Sequence, residues 1–370
     1  MNISHAILHV FDFETGSSVF SQVELDLTVR QTKSFVQRHL RKAKNSADNR
    51  HGEFAPDSAF VPELSAYLQG QRGFVDLSVQ VAQYLQEQLR LADPVEPADL
   101  LVVDFEEDAP APAKAPAGDP EGASEPIDPD EAPAPGTPAP DAYEGRGDRC
   151  FALVLLPRRQ AFVHDIRTQG QATYAEVMRT DSTLPSPTQK VDTYAIVNAR
   201  TMGVEFSDRP RSVAGQQLMV IPDGLLQCSS QASTREVIDT VTRVVAEVAQ
   251  EYGAEPAVAL SKAKACVSES AGDGDVLLPW DVGDEVFEDA PEMQRRYREE
   301  MEREELPEQV SVKRSAAARM VKNHRIRTDT GIEITFPAEF GENPEFMQFI
   351  REPDGGIVIE LRNIREIENR

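Results

Sequence analysis

Leu100-Leu101-Val102-Val103-Asp104-Phe105 and Cys150-Phe151-Ala152-Leu153-Val154-Leu155-Leu156 are two short, nearly unbroken apolar runs, and what separates them decides how the rest of the chain is read. Each has the length and side chains of a buried β-strand. Between them, Glu107 to Gly147 carries ten of the 26 prolines and repeated alanines, and its only large apolar side chains are Ile127 and Tyr143. Such a segment buries too little surface to offset the entropy of ordering it, which predicts a disordered, partly extended insert. Because strands flank it on both sides, it reads as a very long loop inside one domain.

Working outward toward the N-terminus, Ala6–Phe13 and Val19–Leu27 are predicted strands, joined through Thr15-Gly16 as a hairpin. Val29, Val36, Leu40 and Ala43 then recur at helical spacing, with Arg30, Lys33, Arg38, Arg41, Lys42 and Lys44 on the remaining arc. A second helix is predicted from Asp76 to Leu91. Toward the C-terminus, Pro157-Arg158-Arg159-Gln160 is predicted to turn the chain from the strand at Phe151–Leu156 into another at Ala161–Ile166, and short strands continue to about Ile221. From Ser233 the pattern becomes helical: Ser233 and Glu236 form a capping box, Val237, Val241, Val244, Val248 and Tyr252 a stripe, and Gly253 a C-cap. Pro256 and Pro291 open two more helices. Ile332–Phe336 and Ile357–Leu361 are predicted strands, the latter entered through a turn at Pro353–Gly356. The expected fold class is α+β: a mixed sheet-and-helix domain over residues 1–225 containing the insert at 107–147, then a helical domain over 231–370 closed by a small β-sheet.

The 370 residues carry a formal charge of −25, which at long range opposes nucleic acid and anionic membrane alike. No apolar run is long enough to cross a membrane, the first residues lack a secretory pattern, and Cys150, Cys228 and Cys266 lie far apart, so a reducing cytoplasm is expected. There is no phosphate loop, dinucleotide fingerprint or nucleophile elbow, and the six histidines lack metal-ligand spacing, so no enzyme, metal or cofactor is expected. His5 and His9 fall on one face of a strand, where their spacing is ordinary.

Charge is localised. Thr28–Gly52 holds Arg30, Lys33, Arg38, Arg41, Lys42, Lys44 and Arg50 against the single acid Asp48. Val310–Thr328 holds Lys313, Arg314, Arg319, Lys322, Arg325 and Arg327 and no acid. Asp104–Asp148 carries thirteen acids against Lys114 and Arg146, and Asp281–Glu305 eleven acids against four arginines, so these two segments contribute −18 of the −25. Charges farther apart than a Debye length of about 8 Å are largely screened at physiological salt, so a local basic patch can hold phosphates on an acidic protein. A solvated helix face explains each basic cluster equally well when it is taken alone.

Three stretches resemble one family. Ala6-Ile7-Leu8-His9-Val10-Phe11-Asp12 with Glu24-Leu25-Asp26-Leu27 and the helix from Phe35 to Leu40; Leu184-Pro185-Ser186-Pro187-Thr188-Gln189-Lys190-Val191-Asp192; and the tail Val321–Ile334 with Pro353–Ile364 are similar to bacterial nucleoid-associated proteins of the NdpA-like group. The insert departs from that family's short connection. The resemblance implies a nucleoid location, binding to double-stranded DNA and no catalytic activity. No set of DNA-contacting residues carries over with it, so the expected contacts are the two clusters themselves: Arg30, Lys33, Arg38, Arg41, Lys42 and Lys44, with Lys313, Arg314, Arg319, Lys322, Arg325 and Arg327. They would hold phosphates without reading sequence. The alternative is an adaptor or DNA-mimicking regulator whose acidic segments dock a basic protein partner; a homodimer is compatible with either reading.

Overall fold

The computed structural model describes residues 1–13, 16, 18–108, 147–273, 276–304, 306–311, 320–341, 343–352 and 356–366. Residues 109–146 of the insert expected at 107–147, Thr15 of the expected first turn, Lys313, Arg314 and Arg319, and Pro353-Asp354-Gly355 lie outside the described residues.

The architecture is mixed α+β. The N-terminal part contains β1 (Asn2–Phe11), α1 (Arg30–Lys44), β2 (Arg50–Gly52), α2 (Phe60–Leu68), α3 (Phe74–Arg90), β3 (Ala92–Asp93), β4 (Ala98–Glu106), β5 (Arg149–Pro157), β6 (Arg159–Gln169), β7 (Ala172–Thr183), β8 (Thr193–Asn198), β9 (Val204–Ser207), β10 (Arg211–Val213) and β11 (Gln216–Leu218), followed by a π-helical turn at Val220–Leu226. Six strands form an antiparallel sheet in the order β1-β4-β5-β8-β9-β2. Its two faces have separate cores. Leu100 and Val102 of β4 and Phe151, Leu153 and Leu155 of β5 pack with α2 and α3. The intervening Leu101, Val103 and Phe105, with Cys150, Ala152, Val154 and Leu156, pack with Val36, Leu40 and Ala43 of α1. A strand covered on both faces has no reason to alternate, which is why the two apolar runs are continuous.

Two strand expectations are corrected. Val19–Leu27 is irregular and runs along the outer edge of β1, touching it at the Val10–Val19 bridge and through the Leu25 N–H to the Ala6 carbonyl at 2.8 Å. Side chains there replace ladder bonds: the Ser21 hydroxyl donates to the Leu8 carbonyl, and the Ser21 N–H donates to His9 Nδ1 at 3.1 Å. The strand after Pro157 is longer than expected and leaves the sheet, pairing only with β7.

The second helical region contains α4 (Thr234–Glu251), α5 (Pro256–Asp273), β12 (Val276–Leu277), α6 (Asp281–Val286), α7 (Pro291–Arg303), β13 (Val310–Ser311), β14 (Asn323–Arg327), β15 (Glu333–Pro337), β16 (Met347–Arg351) and β17 (Ile357–Leu361). Val237, Val241, Val244 and Val248 of the α4 stripe are buried against α5 and against Met293, Tyr297 and Met301 of α7, whereas Tyr252, expected to complete the stripe, sits at the C-cap and is exposed. The expected small sheet is a set of two-stranded pairs, β12–β13, β14–β15 and β16–β17.

The capping box of α4 is formed: Glu236 N–H donates to the Ser233 hydroxyl at 3.2 Å, and Ser233 N–H donates to the Glu236 carboxylate at 2.8 Å. At the other end Gly253 adopts φ +73°, as a left-handed cap requires. Ser233→Ala is expected to cost about 1 kcal/mol in urea unfolding, with no effect on any ligand bound at α1.

His9 and His324 are both buried, and burial pushes each imidazole down to about 4. A histidine whose folded pKa is depressed keeps its full stabilising contribution above about 6.5 and loses it as pH falls toward 4. Thermal melting should therefore drop steeply between pH 6.5 and 4, by up to on the order of 3 kcal/mol per histidine. His324→Gln should flatten part of that drop.

Candidate nucleic-acid interface

α1 begins at an extended N-cap, Val29, and has no acid in its first turn. Its last turn holds Arg41, Lys42 and Lys44, favourably placed against the negative end of the helix dipole. At 100° per residue the buried side chains Val36, His39, Leu40 and Ala43 occupy one side. Arg30, Lys33, Arg38, Arg41 and Lys42 fan over the remaining arc, and all five are exposed. Lys42 is steadied at 2.6 Å by the Thr188 carbonyl, while His39 contacts the neighbouring Pro185 carbonyl. The loop 184–192 thus lies against the C-terminal half of α1, bringing together two of the three stretches that resemble one family.

Lys44 differs from its neighbours. Its side chain is half-buried, 2.8 Å from Glu107 and 3.3 Å from Glu205. Burial opposes its charge, but the Glu205 and Glu107 carboxylates outweigh it and hold the ammonium above its ordinary pKa. Lys44 therefore ties α1 to the sheet, leaving the exposed five as the outward charge.

A cleft of about 280 Å³ opens at the end of α1, lined among others by Lys42, Asp48, Lys190, Tyr194, Arg235 and Met320. Asp48 is the carboxylate at its centre, bonded by Arg235 and, at 3.2 Å, by Lys190. Burial alone would raise its pKa; the two cations draw it below the usual carboxylate range. Lys190 and Arg235 were not among the expected contacts. Lys190 stood within a stretch of family resemblance, whereas nothing local marks Arg235, which the start of α4 carries to this place.

Met320 in the cleft wall immediately precedes Val321, Lys322 and β14, so the described end of the second basic cluster starts where α1 stops. Lys322, Arg325 and Arg327 are exposed, with Arg325 paired to Glu333 across the hairpin. Between them His324 turns inward, its Nδ1 2.9 Å from the Ser261 hydroxyl.

A second cleft, of about 570 Å³, is lined by Arg158, Arg159, Arg209 and Arg211 together with Leu155, on the other face of the sheet from the Val154 that lines the first. Its guanidiniums are largely engaged: Arg211 with Asp208 at 2.6 Å, Arg209 with Glu96, and Arg158 with buried Asp99 at 3.3 Å. Those carboxylates offset much of the positive charge of this cleft.

At the root of the acidic insert the β4–β5 ladder continues through Glu107 N–H to the Asp148 carbonyl at 2.9 Å. One step inside, buried Asp104 accepts bonds from the Arg149 guanidinium at 2.6 Å and from the Tyr67 hydroxyl. Asp108, the last described residue before the insert, pairs with the N-terminal ammonium and feels Arg41. The insert therefore departs beside the basic helix.

Among the described residues, no three His, Cys, Asp or Glu side chains gather as a metal site, and no helix is long and apolar enough to cross a membrane. Residues 7–115 match the family model described as nucleoid-associated protein YejK. The matched segment includes the second half of β1 and all of α1, and over it the resemblance to nucleoid-associated proteins holds. No curated protein and no solved structure matches the chain.

Proposed function

We propose, from the match of residues 7–115 to a nucleoid-associated family, that this protein binds double-stranded DNA at the bacterial nucleoid and that α1 is the principal contact. The observation carrying this reading is the exposed arc of Arg30, Lys33, Arg38, Arg41 and Lys42, which lies inside the matched segment and has no acid among its five side chains. Lys190, Lys322, Arg325 and Arg327 extend the surface past the end of α1. Phosphate contacts of this kind position a protein on duplex without reading bases, so low sequence specificity is expected. The reading is of a binding protein acting without cofactor or catalysis.

Lysine acetylation footprinting tests the placement. Saturating duplex should protect Lys33 and Lys42 and leave Lys44 unchanged, because its carboxylate partners already shield it. Equal reactivity of Lys33 and Lys42 with and without duplex would refute α1 as the contact.

The insert tunes this site in our reading. Its first end, at Glu107 and Asp108, is fixed near Lys44 and Arg41, with Asp148 hydrogen-bonded beside it, and a tethered polyanion competes with DNA at an effective concentration in the millimolar range. Replacing every Asp and Glu of 109–146 by Asn and Gln should tighten duplex binding several-fold at low salt and make little difference at high salt. Unchanged affinity at low salt would remove this role.

A further inference from the structure

β6 and β7 form a hairpin that stands away from the rest of the fold: every residue from 162 to 179 is exposed, so among the described residues nothing covers either face. A two-stranded hairpin is marginally stable by itself in water. The pairing register sorts its side chains. One face carries Val163, Met178 and Tyr174 around Arg167, which bridges Asp165 at 3.1 Å and Glu176 at 3.0 Å. The other carries the pairs Phe162–Arg179, His164–Val177, Ile166–Ala175 and Thr168–Thr173, and no acid. On it Phe162 is 76%, Val177 72% and Ile166 66% exposed, a contiguous apolar strip of a kind rarely left bare in a monomer.

We propose that this face is a dimerisation surface whose occupant is the same face of a second copy of the chain. DNA is a poor occupant: Arg159, Arg167 and Arg179 are balanced by Asp165, Glu176 and Asp181, and the tip from Thr168 to Thr173 has no cation. Two copies fit each other. Stacked antiparallel about a twofold through the His164–Val177 pair, Phe162 of one copy covers Ile166 of the other, Val177 meets Val177, and the long Arg179 lies over the small Ala175. Eight side chains per copy, each giving up roughly 70 Å², remove about 1,100 Å² in total, at the lower limit for a specific interface and suited to a reversible dimer. Such a dimer carries two α1 surfaces, but its formation needs no DNA and is measured without it.

Sedimentation of the full chain between 1 and 100 µM tests the proposal. The expected result is a concentration-dependent monomer–dimer equilibrium that Phe162→Glu or Val177→Glu weakens at least 100-fold with an unchanged circular dichroism spectrum. Val23→Glu, at an exposed apolar residue elsewhere, should leave it unaltered. A wild-type monomer at 100 µM overturns the proposal, as does a dimer that survives both hairpin variants. A monomer that dimerises only after removal of 109–146 also overturns it, since the chain's own segment would then be the occupant.

Discussion

Replacing Arg30, Lys33, Arg38, Arg41 and Lys42 together by glutamine is expected to weaken duplex binding at least 100-fold at 100 mM salt and to reduce the slope of log K against log salt by about 4. Each neutralised phosphate contributes about 0.9 to that slope through counterion release, so five lost contacts set the scale. The side chains point away from the sheet and none belongs to the core, so the fold should survive and the loss should appear in binding alone. Lys44→Gln should behave in the opposite way. It removes the cation held between Glu107 and Glu205, so stability should fall while the salt slope stays nearly constant. Fluorescence anisotropy titrations at several salt concentrations, with urea unfolding of each variant, separate the two outcomes.

The second large effect is on stability, at the root of the insert. Asp104 is buried and depends on Arg149 and Tyr67 for its hydrogen bonds. Arg149→Met leaves that carboxylate in the sheet without its cation, and breaking such a pair costs about 3–5 kcal/mol when both partners are buried. Because the Arg149 side chain is 40% exposed, a loss near the lower end, about 3 kcal/mol, is expected in urea unfolding. Adding Asp104→Asn should recover most of it, because the amide carries no charge and its oxygen still accepts from Tyr67. A single variant as stable as the parent would show that Asp104 does not rely on Arg149.

Much of this architecture was legible in the residues. The runs Leu100–Phe105 and Cys150–Leu156 announced the central strands because a sheet covered on both sides requires unbroken apolar sequence. The stripes of α1 and α4 and the Ser233–Glu236 box fixed those helices through local chemistry alone. Periodicity failed where a strand's fate depends on what lies beside it. Ala161–Ile166 has strand character in any setting, and nothing in its composition indicates that it departs from the sheet with Phe162 and Ile166 uncovered. Val19–Leu27 looked like the second arm of a hairpin, yet Ser21 satisfies the neighbouring groups of β1 with its side chain and amide in place of a ladder.

The candidate interface divides in the same way. Five of the six cations assigned to α1 are exposed, as the helical arc demanded. Lys44 shares that arc but meets Glu107 and Glu205, and Glu205 is separated from it by 161 residues, a distance no local pattern spans. Lys190 and Arg235 reach the end of α1 by the same tertiary route, and so does the chain leading into Lys322.

The measurement that tests the central claim most directly is the salt dependence of binding between the unmodified chain and a short duplex of arbitrary sequence. The account predicts binding at 50 mM salt, little difference between unrelated sequences, and an affinity falling with a log–log slope of about −4 or steeper, the five α1 cations setting the lower limit. No binding at 50 mM salt, or binding that ignores salt, would contradict it.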